Sequence, residues 1–77
     1  MVKVKIYTTS TCPYCQMAKD FLKQHKVDFE EINVELDREA AMEMVRKSGQ
    51  YGVPVLDIEG QIVIGFDEPR IRELLKL

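Results

Sequence analysis

Hydrophobic and polar residues alternate at the beginning of the chain and then change to a helical spacing. From Val2 to Tyr7, three aliphatic residues alternate with lysine or tyrosine, which is the period of a β-strand. A Thr/Ser cluster ends this run, and residues 13–26 then carry apolar side chains at every third or fourth position. This spacing predicts an amphipathic helix. Pro13 suits its first position, because proline has a fixed φ and no N–H.

The next two predicted elements are a strand and a helix. Val27 to Val34 places apolar residues among acidic ones and predicts a second strand. Asp37 is suited to cap the amino end of a helix, because its carboxylate can accept a hydrogen bond from a free backbone N–H. Gly49 is suited to end the same helix, because glycine readily adopts the left-handed conformation.

A hairpin and a last helix complete the pattern. Val53 to Ile58 and Gln61 to Gly65 are two short β-rich runs, and the two residues Glu59-Gly60 between them predict a tight turn. Asp67 can cap the following helix, and Pro69 is tolerated in its first turn.

The predicted order is βαβαββα, an α/β fold with a four-stranded mixed sheet flanked by three helices. A helical crossover makes the first two strands parallel, and the hairpin makes the last two antiparallel. Lys3 and Lys5 do not suit a sheet that is covered on both faces. We expect their apolar stems to lie along a partly covered margin while their ammonium groups reach water.

Composition narrows the class of protein. The length of 77 residues predicts one domain over residues 1–77. The net charge is −2 and the sequence contains no block of like charge, which argues against a nucleic-acid partner. The longest apolar run, Ile62 to Phe66, is far shorter than the ~20 residues that span a bilayer. We therefore expect a cytoplasmic protein without a membrane partner, and a monomer, since no long apolar stripe lacks a role in the core.

The segment Cys12-Pro13-Tyr14-Cys15 contains both cysteines of the chain. Two thiols one turn apart at the start of a helix can form and break a disulfide without large backbone motion, which indicates thiol–disulfide chemistry. A structural disulfide and half of a zinc site are the alternatives. His25 is a poor third zinc ligand, because about thirteen residues of helix at 1.5 Å each separate it from Cys12 by roughly 20 Å.

These residues resemble a glutaredoxin-like protein of the thioredoxin-fold superfamily over essentially the whole chain. The matching features are the strand before Cys12-Pro13-Tyr14-Cys15, the Val53-Pro54 pair before the third strand, and the Gly65-Phe66-Asp67 turn before the last helix. The resemblance implies the thioredoxin fold. It also implies an enzyme that reduces protein or glutathione-mixed disulfides by dithiol exchange.

Within that resemblance, Cys12 is the expected nucleophile and Cys15 the resolving cysteine. The amino end of a helix favours a thiolate on Cys12, whereas Cys15 lies one turn deeper. Pro13 and Tyr14 are expected to tune the active site. In this fold the proline corresponding to Pro54 is cis and faces the cysteines. The predicted substrate-binding residues are Thr9, Tyr14, Val53, Pro54, Gly65, Phe66 and Asp67.

No bound cofactor is expected beyond the redox-active disulfide, so the open question is the electron source. Many glutaredoxins bind glutathione through a lysine, a Thr-Val-Pro segment and a Gly-Gly turn, where this chain has Thr9, Gly52-Val53-Pro54 and the shorter Gly65-Phe66-Asp67-Glu68. That turn also resembles the corresponding turn of the redoxins that donate electrons to ribonucleotide reductase. Glutathione and a thioredoxin-reductase-type flavoenzyme are both candidate reductants. The alternative function is an iron–sulfur cluster or metal-binding module that uses the same cysteines.

Overall fold

A computed structural model of the protein describes residues 3–77, so Val2, at the start of the predicted first strand, lies outside the described residues. The order of elements is the predicted βαβαββα. The elements are β1 (Val4–Thr8), α1 (Pro13–Gln24), β2 (Glu30–Asn33), α2 (Arg38–Ser48), β3 (Val55–Ile58), β4 (Gln61–Ile64) and α3 (Glu68–Leu75). No helix among these residues is long and apolar enough to cross a membrane.

The four strands form one mixed sheet in the order β2-β1-β3-β4. β1 and β2 are parallel, whereas β3 is antiparallel to both β1 and β4, so the predicted strand directions are confirmed. Tyr7 near the end of β1 lies opposite Val55 at the start of β3. The segment that follows β1 and the segment that precedes β3 therefore meet at one edge of the sheet.

Alternating residues of the sheet build a separate core on each face. Ile6 and Leu56 pack with Leu22 of α1 and Ile71 of α3 on one face. The neighbouring Tyr7 and Val55 face the other way and pack with Met44, Ala40 and Val45 of α2. The predicted arrangement of a sheet between helices follows from this period of two.

The predicted helix caps are confirmed. The side chain of Asp37 accepts a hydrogen bond from the Ala40 N–H at 3.0 Å, and Asp67 accepts one from the Arg70 N–H at 3.3 Å. Gly49 ends α2 in the left-handed conformation, with φ of 76° and its N–H bonded to the Val45 carbonyl. Pro69 lies in the first turn of α3, as predicted.

Several elements are shorter than predicted: β3 begins at Val55 and β4 ends at Ile64, and α1 and β2 are shortened by the turn between them. α1 ends at Gln24 because Lys26 adopts a positive φ of 57°, and the N–H groups of Lys26 and Val27 bond back to the Lys23 and Leu22 carbonyls. This is the Schellman arrangement, in which glycine is the usual left-handed residue. Val27, the first residue of the predicted second strand, is held in this turn, and β2 begins only at Glu30.

A charged cluster joins α2 to the sheet beside Lys5. The buried Tyr7 hydroxyl donates a hydrogen bond to Glu43 and accepts one from Lys47 at 3.1 Å, and Lys47 also pairs with Asp57 at 2.7 Å. Burial alone would raise the pKa of Asp57, but the Lys47 ammonium and the Gly60 N–H lower it overall. The pKa of Glu43 is lowered by the hydrogen bonds from Tyr7 and Lys47. The half-buried Lys5 lies directly opposite Asp57, which explains how a lysine is accommodated on this face.

Replacing Lys47 with methionine removes the ammonium and keeps an apolar stem. We expect the free energy of unfolding to fall by about 1 kcal/mol near neutral pH, because partial exposure lets water screen these pairs. The lowered carboxyl pKa values stabilise the fold at neutral pH, and this contribution is lost as the pH falls through the folded-state pKa. Urea unfolding should therefore show a smaller difference between the wild type and Lys47→Met at about pH 3 than at about pH 7. Lys23→Met is the matched control, and an equal difference at both pH values would contradict the prediction.

Candidate active site

The end of β1 and the start of α1 place Cys12 at the helix terminus. Cys12 is the N-cap residue, with φ of −113°, and Pro13 is the first helical residue. The N–H of Cys15 points at the Cys12 sulfur from 3.1 Å. The first turn of α1 contains no acidic residue that would oppose negative charge on this sulfur.

The two cysteines lie at disulfide distance from each other, but their environments differ. Their Cα atoms are 5.2 Å apart, within the usual range for a disulfide. Cys15 is only 1% exposed and belongs to the buried core, whereas Cys12 is partly exposed. Tyr14 between them is 62% exposed and extends from the same helix start. One sulfur is thus accessible from solvent and the other is covered.

The segment before β3 lies against the disulfide. The Val53-Pro54 peptide bond is cis, as the resemblance predicted, and Pro54 is buried. The Val53 carbonyl oxygen is 3.7 Å from the Cys12 sulfur. The pairing of β1 with β3 therefore brings residues 12 and 53, far apart in the chain, to one place.

The predicted turn before α3 is connected to the same segment. The Gly65 N–H donates a hydrogen bond to the Pro54 carbonyl at 2.8 Å, and its φ of +76° suits glycine. Phe66 packs edge-on against Phe21 of α1, with ring centroids 5.8 Å apart. Asp67 is engaged as the cap of α3. Gly65 therefore borders Pro54, while Phe66 and Asp67 have structural contacts of their own.

Comparisons with known proteins agree with this geometry. The Glutaredoxin family model matches residues 4–63. A glutaredoxin-like 8.6 kDa protein of Clostridium pasteurianum is 42% identical over 73 residues, covering 95% of this chain and 97% of that protein. The chain belongs to the glutaredoxin family. As a member of this family it is a thiol–disulfide oxidoreductase, and the alternative of a cluster or metal-binding module is not favoured.

Solved structures of similar proteins have the same fold. A glutaredoxin from Archaeoglobus fulgidus has a TM-score of 0.88 and 34% identity, covering all of this chain and 89% of its own. An Escherichia coli NrdH-redoxin, described as a glutaredoxin-like protein with a thioredoxin-like activity profile, has a TM-score of 0.82 and 32% identity. The match covers 94% of this chain and 93% of that one. The predicted thioredoxin-like fold is confirmed.

Thr9 lies at the edge of the site, in a loop that its neighbours hold. It is partly exposed, directly after β1. Ser10 accepts a hydrogen bond from the Asn33 amide at 3.1 Å and donates its own N–H to Glu35. Behind the loop, the buried Thr8 hydroxyl donates to Glu31. The structure therefore places Thr9 in the loop that leads to Cys12, where it forms no hydrogen bond with either sulfur.

Lys19 is a charged residue of α1 that the sequence pattern did not single out. It lies one turn after Cys15 on α1 and pairs with Glu31 at 2.9 Å. The hydrogen bond from Lys19 lowers the pKa of Glu31, although burial acts in the opposite direction. The carboxylate behind the Cys12 loop is thus kept ionised.

Among residues 3–77, no group of three or more His, Cys, Asp or Glu side chains is placed to hold a metal ion.

Gln50 is a second residue that sequence reasoning missed. Its side-chain oxygen accepts a hydrogen bond from the Gly52 N–H at 2.6 Å, and its side-chain nitrogen donates to the Gly52 carbonyl at 3.0 Å. A Cβ at position 52 would lie 2.7 Å from the Gln50 side-chain oxygen. Gln50 therefore holds the segment leading to Val53, and the absence of a side chain at Gly52 permits it to do so.

Replacing Gln50 with alanine removes both of these hydrogen bonds. We expect the free energy of unfolding to fall by about 1 kcal/mol, and exchange of the Gly52 amide hydrogen to become faster because its acceptor is lost. Urea unfolding and hydrogen exchange followed by NMR measure these two effects. Gln24→Ala, at the exposed end of α1, is the matched control. An unchanged exchange rate at Gly52 would show that Gln50 does not hold this segment in solution.

Proposed function

We propose that this protein reduces protein disulfides, including mixed disulfides with glutathione, by dithiol exchange in which Cys12 attacks and Cys15 resolves. The observation that carries this proposal is the difference between the two sulfurs. Cys12 is partly exposed at the amino end of α1, and Cys15 is buried one turn further along. An attacking thiol must reach its substrate, whereas a resolving thiol needs only to reach its neighbour.

The first step is attack by the Cys12 thiolate on one sulfur of the substrate. A bond forms between Cys12 and that sulfur, the substrate disulfide breaks, and the second substrate sulfur leaves as a thiolate that takes up a proton. The Cys15 N–H, 3.1 Å from the Cys12 sulfur, stabilises negative charge on Cys12 before the attack.

The second step releases the substrate. Cys15 loses its proton and attacks the Cys12 sulfur, so that the Cys12-Cys15 disulfide forms and the bound substrate sulfur leaves as a thiolate. Two electrons have then passed from the dithiol to the substrate. The Cα separation of 5.2 Å accommodates this disulfide at the start of α1. An external reductant must return two electrons before the next cycle.

The backbone around Val53 is the proposed guide for the substrate. A polypeptide can pair with an exposed backbone segment in the manner of an added strand. The Val53 carbonyl lies 3.7 Å from the Cys12 sulfur, so a substrate segment paired there would bring its disulfide close to Cys12. The hydrogen bond from the Gly65 N–H to the Pro54 carbonyl holds the residue next to this guide in place. Thr9, Tyr14, Phe66 and Asp67 surround this guide in the proposal.

For the electron source we propose weakened use of glutathione, and this rests on Thr9, on the shortened turn Gly65-Phe66-Asp67-Glu68 and on Gly52. Thr9 replaces the lysine that many glutaredoxins use for a glutathione carboxylate, and the backbone groups of Gly52 are already bonded to Gln50. Loss of one charge-assisted contact weakens binding by about 1.5–3 kcal/mol. The similarity to NrdH-redoxin supports a flavoenzyme of the thioredoxin-reductase type as the alternative electron source.

Cysteine variants test the order of the two steps. Cys12→Ser should reduce insulin disulfides no faster than the background reaction, because the attacking thiol is gone. Cys15→Ser should still attack but stop at the mixed disulfide, which mass spectrometry detects as an adduct on Cys12. Retained insulin reduction by Cys12→Ser would show that the nucleophile is assigned to the wrong cysteine.

Two coupled assays test the electron source. Turnover is measured with glutathione plus glutathione reductase, and in parallel with NADPH plus thioredoxin reductase. We expect the glutathione-coupled rate of Thr9→Lys to rise by about tenfold, because the substitution restores a cation for the glutathione carboxylate. Thr11→Lys is the matched control. Efficient turnover of the wild type in the glutathione system alone would contradict weakened use of glutathione.

A further inference from the structure

A groove on the outer side of α2 is not used by the proposed exchange reaction. Its floor is apolar, and two large side chains of its lining are unusually open to solvent: Tyr51 is 83% exposed and Met42 is 56% exposed. The lining residues are Arg38, Ala41, Met42, Val45, Arg46 and Tyr51. An aromatic and a thioether group exposed side by side are typical of a surface that binds protein segments.

The groove lies next to the candidate active site. Tyr51 precedes Val53 by two residues, so the two Cα atoms are at most about 7 Å apart. The Val53 carbonyl in turn lies 3.7 Å from the Cys12 sulfur. A polypeptide whose disulfide reaches Cys12 therefore needs only a few more residues to enter the groove.

The charges at the groove indicate what kind of segment it fits. Arg38 and Arg46 lie near its two ends, eight residues and thus about 12 Å apart along α2. Neither arginine side chain forms a hydrogen bond or ion pair with another residue in the described range 3–77, whereas Arg70 and Arg72 of α3 each pair with a glutamate. Two unpaired guanidinium groups beside an apolar floor complement a segment that carries carboxylates on either side of an apolar residue.

We propose that this groove binds an acidic segment of the protein whose disulfide is reduced, located a few residues from that disulfide. One apolar side chain of the segment contacts Met42, Val45 and Tyr51, and carboxylates four residues apart reach Arg38 and Arg46. An extended segment covers about 13 Å over four residues, which matches the spacing of the arginines. The inference rests on the proposed function, because the partner is the disulfide substrate itself.

Two disulfide peptides test the inference. Both contain the same disulfide-bonded cysteine pair. One carries the segment Glu-Ser-Leu-Ser-Glu beside it, and the other carries Lys-Ser-Leu-Ser-Lys. The second-order rate constant for single-turnover reduction is measured with the pre-reduced protein. We expect the acidic peptide to be reduced about tenfold faster at low ionic strength, with a smaller preference at high salt.

Variants assign that preference to the groove. Arg38→Glu combined with Arg46→Glu should abolish or reverse it. The control pair, Lys23→Glu with Lys26→Glu, changes the net charge by the same amount at the carboxyl end of α1, away from the cysteines. This pair should retain the preference for the acidic peptide. A negative charge at position 38, the first residue of α2, interacts favourably with the helix dipole, whereas one at position 46, in the last turn, interacts unfavourably. The effects of the two substitutions on the stability of α2 therefore offset each other. Circular dichroism checks the fold, and Arg38→Gln with Arg46→Gln is the milder pair if the first does not fold.

A small uncharged disulfide, that of 2-mercaptoethanol, separates this inference from the proposed function. All of these arginine variants should reduce it at the wild-type rate. If the wild type reduces neither this disulfide nor those of insulin, the proposed function fails. If the wild type reduces either one but treats the two peptides alike, or if the arginine variants keep the preference, the groove inference is overturned while the proposed function stands.

Discussion

The antiparallel pairing of β1 with β3 is the constraint on which the rest of the site depends. It places Tyr7 opposite Val55, so the chain that leaves β1 and the chain that enters β3 lie at the same edge of the sheet. The contact between the Cys12 sulfur and the Val53 carbonyl is long, at 3.7 Å, and does not by itself hold the two segments together. Each is held by the strand next to it, and the backbone hydrogen bonds of the ladder fix the distance between them. A short loop on one side and a buried proline on the other leave little freedom in that distance.

The same arrangement also makes the two sulfurs unequal. The end of β1 delivers the chain to the start of α1 at the margin of the sheet, so the N-cap residue Cys12 stays partly exposed. One turn later the helix has passed over the core, and Cys15 is buried with Ala18 and Leu22. A spacing of three residues in a helix that crosses the edge of the core is enough to give two cysteines of one motif different tasks.

Features with a strong local cause could be predicted from the sequence. Asp37, Gly49 and Asp67 each have a single structural role to which their side chain or backbone is suited, and each adopts it. The end of α1 could not be predicted, because a lysine occupies the left-handed position where glycine would have been recognised. The Lys47 pairs could not be predicted either. They join residues 40 and 10 positions apart, whose meeting depends on how α2 crosses the sheet.

Gln50 shows why matching motifs is less informative than following hydrogen bonds. From the sequence alone, Gly52 is merely a missing threonine in a glutathione-binding pattern. In the structure, the backbone N–H and carbonyl of Gly52 are engaged by the Gln50 side chain, and a Cβ at that position would collide with it. Gln50 and Gly52 are therefore one structural unit. The unit keeps the segment before Val53 in place. A threonine at position 52 would displace the Gln50 side chain and break this unit, because its Cβ would lie 2.7 Å from the Gln50 side-chain oxygen.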